Sequence, residues 1–317
     1  AITCFTMQQL IGHPVKNAKD PFVEVLKANM RLMTDSCTEV QVMALRSLSS
    51  MLATEGRDLT PYKRKLINRF MEVSSTLQGD ASLALYESIG YFFFQMGPFM
   101  EEGEVERTLQ PILQHWEKMS LADTPPNDVI AICQPLCVIA MHAGKAFEAH
   151  NPAVLGKVAA FAQSVCTNGA RAAHSAEDLT TKLVSAIDLI SSIYEGQGAA
   201  ANASMQESNV LQICVNLLEV KELDDSVHQA AFAVVGHVGL HDYASLSNHT
   251  STLIAVINSC IKTNSNAALK NNALWALAQI AEKETTQRDD LLQLTSALMD
   301  IIKDMEGDQG CVINASL

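Results

Sequence analysis

Glycine and proline are scarce, 15 and 9 in 317 residues, so few turns interrupt the chain. Aromatic residues make up only 5%, too few for the ring-filled core of a β-sandwich. Positive charge is also short: 22 Lys and Arg stand against 35 Asp and Glu, for a net charge of −13. Such a chain repels phosphate backbones, which argues against nucleic acid as a direct partner and favours basic ligands. Long apolar runs are missing. The longest, Val129–Met141, is short for a bilayer and is interrupted by Gln134 and Pro135, so no membrane association is expected. The eight cysteines (Cys4, Cys37, Cys133, Cys137, Cys166, Cys214, Cys260 and Cys311) include no C-x-x-C, and most sit inside apolar helical patterns. They read as reduced thiols of a cytosolic or nuclear protein. With no signal peptide visible, the sequons at Asn202, Asn248 and Asn314 read as chance. There is no P-loop, dinucleotide glycine fingerprint, G-x-S-x-G or H-E-x-x-H, so neither an enzyme nor a cofactor is expected. The chain opens with AITCFTMQQL and closes with GCVINASL, both reading as mid-helix, and is expected to be a piece of a longer protein.

What the sequence does have is apolar periodicity, carried by the 48% of residues that are hydrophobic. Paired helices are predicted over Pro21–Met33 with Thr38–Thr54, Thr60–Thr76 with Asp80–Met96, and Glu104–Lys118 with Asn127–Ala143. Further pairs follow over Pro152–Cys166 with Ala176–Gly196, Met205–Val220 with Asp224–Leu240, and Ser245–Lys262 with Ala267–Lys283. Aligning Leu48, Ile89, Leu136, Ile190, Val235 and Leu277 in the second helices gives a repeat of roughly 40–55 residues. Two helices per repeat at that spacing predict HEAT units rather than three-helix armadillo units. One hairpin cannot bury its own apolar face, so neighbours must stack. The expected fold is all-α, an α-α superhelix (solenoid) of about six complete hairpins with partial ones at both ends, continuous over residues 1–317. Second helices are expected to line its concave side. Loops are predicted at Asp123–Asn127, Gly196–Asn202 and Thr263–Ala267, with Asn127 as a helix N-cap and Pro135 as a kink.

Two helix faces carry candidate binding residues. In ALKNNALWALAQIAEK the core stripe is Leu269, Ala273, Leu277 and Ile280. Trp275 lies opposite it, among Asn271, Asn272, Gln279 and Glu282. A large aromatic on an amide-rich face is either a ligand anchor or a packing contact with the adjoining repeat. In TKLVSAIDLISSIYEG the core positions are Leu183, Ile187, Ile190 and Tyr194, while Asp188, Ser191, Ser192 and Glu195 share another side. Its two carboxylates suit cationic side chains, or belong to a plain solvated face. Phe92, Phe93 and Phe94 cannot all point one way, because successive residues turn by about 100°. His237 and His241 share a helix side, and so do Cys133 and Cys137. Both pairs read as ordinary helix positions rather than a metal site. Glu101–Glu106 suits a helix start.

At AIDLISSIYEGQG, QAAFAVVGHV and KNNALWALAQIA, in that order and spacing, the chain resembles the transportin family of nuclear import receptors, within the importin-β (karyopherin-β) superfamily. AITCFTMQQL, LTPYK, LYESIGYFFFQMG, LQPILQHW and VINASL extend the resemblance over nearly the whole chain. It implies a middle-to-C-terminal, cargo-binding portion of such a receptor. The cargo would carry extended, basic nuclear localisation signals ending in a proline–tyrosine pair. Trp275, Asn271 and Asn272 match the family's Trp-and-amide platform, with Leu317 beside it. Asp188, Glu195 and Glu87 match acidic positions facing the basic part of the signal, and Ile2 and Phe5 match the apolar patch for its proline–tyrosine end. Ala53, Phe94 and His237 stand where the family has carboxylates, and Tyr91 where it has a small hydroxylated residue, giving a less acidic and more aromatic groove. The resemblance also implies the GTPase Ran and phenylalanine–glycine nucleoporins as partners, and shuttling between cytoplasm and nucleus. Without the resemblance, the same repeats would suit a scaffold organising a phosphatase or ubiquitin-ligase complex.

Overall fold

Apolar side chains recurring every three to four residues make every regular element a helix. A computed structural model describes residues 21–54, 58–168, 175–263 and 266–283, and no strand occurs among them. The helices are α1 (Pro21–Leu32), α2 (Thr38–Leu52), α3 (Lys63–Ser74), α4 (Asp80–Met96), α5 (Glu102–Lys118), α6 (Pro126–Ala143) and α7 (Asn151–Asn168). They continue with α8 (Ala176–Gln197), α9 (Asn202–Glu207), α10 (Val210–Glu219), α11 (Asp225–His241), α12 (Tyr243–Leu246), α13 (Thr250–Thr263) and α14 (Ala267–Lys283). The chain packs into two compact units, Ala1–Ser120 with Asn127–Phe147 and Leu121–Pro126 with Glu148–Leu317.

In the first unit, α2 and α4 lie side by side as the second helices of their hairpins, with α1 and α3 covering them and α5 beside α3. Polar groups close the seam. Ser88 Oγ is buried 3.0 Å from Ser49 Oγ and from the carbonyls of Leu45 and Ala84. Asn29 donates to Ser47 Oγ at 3.0 Å, and Gln95 donates to the carbonyls of Leu52 and Thr54, satisfying the open end of α2. Phe92 and Phe93 are fully buried, with Phe92 edge-on to Phe70 at 5.6 Å. Phe94 is the ring left half-exposed, edge-on to His142 at 4.9 Å. α6 approaches α4 closely. A Cβ on Gly90 would lie 3.2 Å from Pro135 Cα, and one on Gly97 would strike the His142 carbonyl.

The second unit repeats the pattern in two layers. First helices α7, α10 and α13 adjoin one another, and second helices α8, α11 and α14 form the other row. The predicted core stripes are buried, with Leu183, Ile187, Ile190 and Tyr194 on α8 and Leu269, Ala273, Leu277 and Ile280 on α14 all at 3% exposure or less. Full burial of one such side chain is worth about 1.5–3 kcal/mol, and the stacking of neighbours recovers it. Buried Asn151 and Gln197 exchange amide hydrogen bonds at 2.7 and 3.1 Å, tying α7 to the end of α8. Asn202 donates to the His241 carbonyl at 3.0 Å.

Several local expectations change. Asn127 does not cap α6, because the helix already starts at Pro126, whose fixed φ and missing N–H suit a first turn. The predicted loop Gly196–Asn202 is largely helical. α8 runs to Gln197 and ends at Gly198, whose φ of +55° suits glycine, and a 3-10 turn leads directly into α9. The helix predicted over Met205–Val220 is broken at Asn209, which takes the left-handed conformation that Asn tolerates. The stretch Pro126–Thr167 has the length and hydropathy of a membrane-crossing helix, but a 3-10 segment at Gly144–His150 divides it into α6 and α7. At the acidic start of α5, Glu101 and Glu104 form a reciprocal capping box, and Glu104 also pairs with Lys63 at 2.6 Å.

Candidate functional site

The row α8–α11–α14 brings together most of the described candidate residues. Asp188 and Glu195 are exposed on α8, seven residues and about 10 Å apart along the helix axis. Ser191 stands half-buried between them. Ser192 does not share that side as expected. It is 7% exposed, and its hydroxyl bonds back to the Asp188 carbonyl at 2.9 Å, which lets it enter the core.

Glu195 reaches across to α11, where its Oε1 lies 3.6 Å from His237 Nε2. The His237 ring stacks parallel to Tyr194 at 6.0 Å and to His241 at 6.3 Å, and meets the α14 indole of Trp275 edge to face at 5.0 Å. A carboxylate, an imidazole and an indole thus follow one another across three second helices. Trp275 combines both readings open at the sequence level. Its ring lies on the backbone of Gly236, where any Cβ would collide with it, yet the side chain stays half-exposed. Gly239, three residues on, likewise makes room for Gln279, four residues after Trp275. The two glycines allow α14 to sit close to α11 while a large aromatic lies across it.

Electrostatics follow from this packing. Burial, with a smaller contribution from His241, pushes the His237 imidazole down to about 4, so it is neutral at pH 7. Its contact with Glu195 is therefore polar rather than an ion pair, and the Glu195 charge remains available to a ligand. Its Nδ1 is buried without a hydrogen-bond partner. The Asp188 carboxyl is pushed up to about 6, first by its packed surroundings and then by Glu195. Its open side keeps water at the carboxylate, which works against that shift. Burial also raises Glu195. At neutral pH the face presents two anionic groups beside a half-covered indole.

The amides are partly committed. Asn272 donates to the Gln229 carbonyl on α11 at 3.0 Å, leaving its Oδ1 and one N–H for other partners, and Asn271 is half-exposed one turn before Trp275. Glu87 is exposed on α4, in the first unit. Ile2, Phe5 and Leu317 lie outside the described residues. Of the positions where the resemblance implied carboxylates, Ala53 is exposed beyond α2, Phe94 rests on His142, and His237 is at the centre of the ring cluster. Tyr91 is half-buried. Among the described residues no group of three or more His, Cys, Asp and Glu could hold a metal ion. The Tyr194–His237–His241 stack and the glycine seat under Trp275 were missed in the sequence. The available signal was the Gly236–Gly239 spacing within VVGHVG.

The chain is similar to Transportin-1. It is 23% identical to the mouse and human proteins over 291 residues, 89% of this chain and 31% of theirs. To rice Transportin-1 it is 23% identical over 326 residues, 97% of this chain and 35% of that protein. The chain therefore spans about a third of the length of the curated relatives it matches. No family model matches it. Among solved structures it resembles an engineered protein (TM-score 0.58, 13% identity, 82% of this chain and 97% of that one) and a designed armadillo repeat protein (0.54, 14%, 80% and 99%). It also resembles a chain from a study of the cadherin–β-catenin interaction (0.57, 13%, 99% and 56%). The fold class is all-α, of the HEAT/armadillo-like helical-repeat kind, and the sequence similarity supports a karyopherin-like repeat protein. None of these relatives or neighbours is named for a catalytic activity.

Proposed function

We propose that the chain is the cargo-binding portion of a nuclear import receptor of the transportin type, and that the α8–α11–α14 face captures an extended, basic peptide segment. The observation that carries this reading is the continuity from Glu195 through His237 to Trp275. It sets an uncompensated carboxylate beside a half-exposed indole, the pairing that a cationic chain with apolar anchors needs. Asp188 and Glu195 supply attraction and steering, strongest at low salt. Trp275 supplies desolvated contact, and the free Asn272 Oδ1 accepts from a peptide N–H. Signals ending in proline–tyrosine, with Ile2, Phe5, Glu87 and Leu317 as further contacts, are the finer part of the proposal. So are Ran, phenylalanine–glycine nucleoporins and shuttling between cytoplasm and nucleus.

The test is titration of the chain with a basic proline–tyrosine peptide. Trp275→Ala should weaken binding by about 2 kcal/mol, roughly thirtyfold, if the indole is an anchor. Asp188→Lys with Glu195→Lys should weaken it further at low salt. Equal affinity in the parent and both variants would reject this face and leave a repeat scaffold of the phosphatase- or ligase-organising kind as the better reading.

A further inference from the structure

In a chain of net charge −13, the segment Lys63–Arg69 (KRKLINR) holds four basic residues and no acidic one. The fold places it on α3, where Lys65, Asn68 and Arg69 face α1 across a cavity of about 340 Å³ in the first unit, while Lys63 turns to Glu104 on α5. Lys27 and Arg31 line the cavity from α1, and Lys65 and Arg69 from α3. Each pair is spaced i, i+4, on one side of its helix. Met30 adds an apolar contact, and Glu72 is the one acid in the lining.

Local acids cover only half of this charge. Lys27 pairs with Glu24 at 2.9 Å and Arg69 with Glu72 at 2.7 Å, both as i, i+3 neighbours on their own helices. Arg31 and Lys65 are exposed, and no described carboxylate pairs with either. Arg107 extends the positive rim from α5, its guanidinium donating to Asn68 Oδ1 at 3.3 Å. Such a surplus is out of character with the rest of the chain, whose net charge is −13.

We infer that the cleft between α1 and α3 is a second binding surface, for an extended acidic peptide segment of a partner protein. Spacing favours a peptide. Residues four apart on a helix are separated by about 6 Å along the axis. Alternate residues of an extended strand, which point the same way, are separated by about 6.7 Å. A segment with Asp or Glu at every second position therefore presents carboxylates in step with Lys27 and Arg31, or with Lys65 and Arg69. The short basic stretch and the strongly acidic remainder of the chain disfavour a nucleic-acid backbone, whose regular charge would be repelled on leaving the cleft.

The experiment is fluorescence anisotropy with a labelled peptide of alternating Glu and Gly, at low and physiological salt. The Gln-for-Glu peptide serves as a control, and an unlabelled DNA duplex as a competitor. Saturable binding of the Glu peptide is expected. Arg31→Glu with Lys65→Glu should weaken it at least tenfold, and Arg31→Gln with Lys65→Gln by a smaller factor. Lys262→Glu, an exposed charge reversal in the second unit, should leave it within twofold. All these positions are exposed, so the variants are expected to keep the parent circular dichroism. Three results would overturn the inference: no binding of the Glu peptide, an equal loss in Lys262→Glu, or displacement of the peptide by the duplex at lower concentration than by the unlabelled peptide.

Discussion

The two units close the seams between their second helices in different ways. Between α2 and α4 the contact is sealed by small hydroxyls and amides, with Ser49, Ser88 and Gln95 bonding to one another or to backbone carbonyls. Between α8, α11 and α14 it is sealed by rings over glycines, with Tyr194, His237 and His241 stacked parallel, Trp275 edge to face on His237, and Gly236 as the seat of the indole. A hydroxyl seam turns its polar groups inward, toward one another and toward backbone carbonyls. A ring seam leaves part of an aromatic surface, and the carboxylate beside it, facing outward. Nearly the same helical hairpin thus supports a seam of inward-turned hydroxyls in one unit and a seam of partly exposed rings in the other, and the deciding residues are few.

The largest expected effects break the close approaches. Gly97→Ala should cost about 1–3 kcal/mol, because the added methyl meets the His142 carbonyl, which is backbone and cannot rotate away. Gly236→Ala should cost a similar amount while Trp275 is present. Gly236→Ala with Trp275→Ala should cost less than the two singles added together, since the ring that collides is gone. Urea unfolding followed by helicity measures both, and additive losses would show that the indole does not sit on Gly236.

A middle-sized effect separates the hydroxyl seam. Ser88→Ala leaves the buried Ser49 hydroxyl short of a partner and should cost about 1–2 kcal/mol, with no change in peptide affinity. A loss of peptide binding at unchanged stability would blur the distinction between the two seams.

The smallest effect is a pH step. A carboxyl raised to about 6 binds a proton more readily folded than unfolded, so its contribution to folding stability falls as pH rises from about 4 to 6 and is flat above. Binding of a cationic peptide runs the other way, because Asp188 must ionise to attract it. Affinity should rise between pH 5 and 7 by roughly two- to fivefold, the scale of one exposed charge pair. His237, already neutral above about 4, contributes nothing in that window. Asp188→Asn should flatten the step, as isothermal titration at pH 5, 6 and 7 would show.

The helices, their pairing and the core stripes were legible in the sequence because period and burial are local properties. Leu269, Ala273, Leu277 and Ile280 announce their face by spacing alone. Breaks such as Asn209 were not, because one residue in the left-handed region does not disturb an apolar pattern. The site was half legible. Trp275, Asp188 and Glu195 stood out as residues off the core stripe. The glycine seat, the neutral His237 and the inward turn of Ser192 depend on which helix lies alongside, and no single-helix pattern encodes that.

The central claim, that the α8–α11–α14 face receives a basic peptide on its indole, is tested most directly by fluorescence. The chain has two tryptophans, and Trp116 is buried at 1% exposure, so Trp116→Phe leaves Trp275 as the sole reporter. Titrating that variant with the basic proline–tyrosine peptide should produce a saturable change in Trp275 emission that disappears in Asp188→Lys with Glu195→Lys. Unchanged Trp275 emission while calorimetry records binding would place the peptide elsewhere and contradict the account.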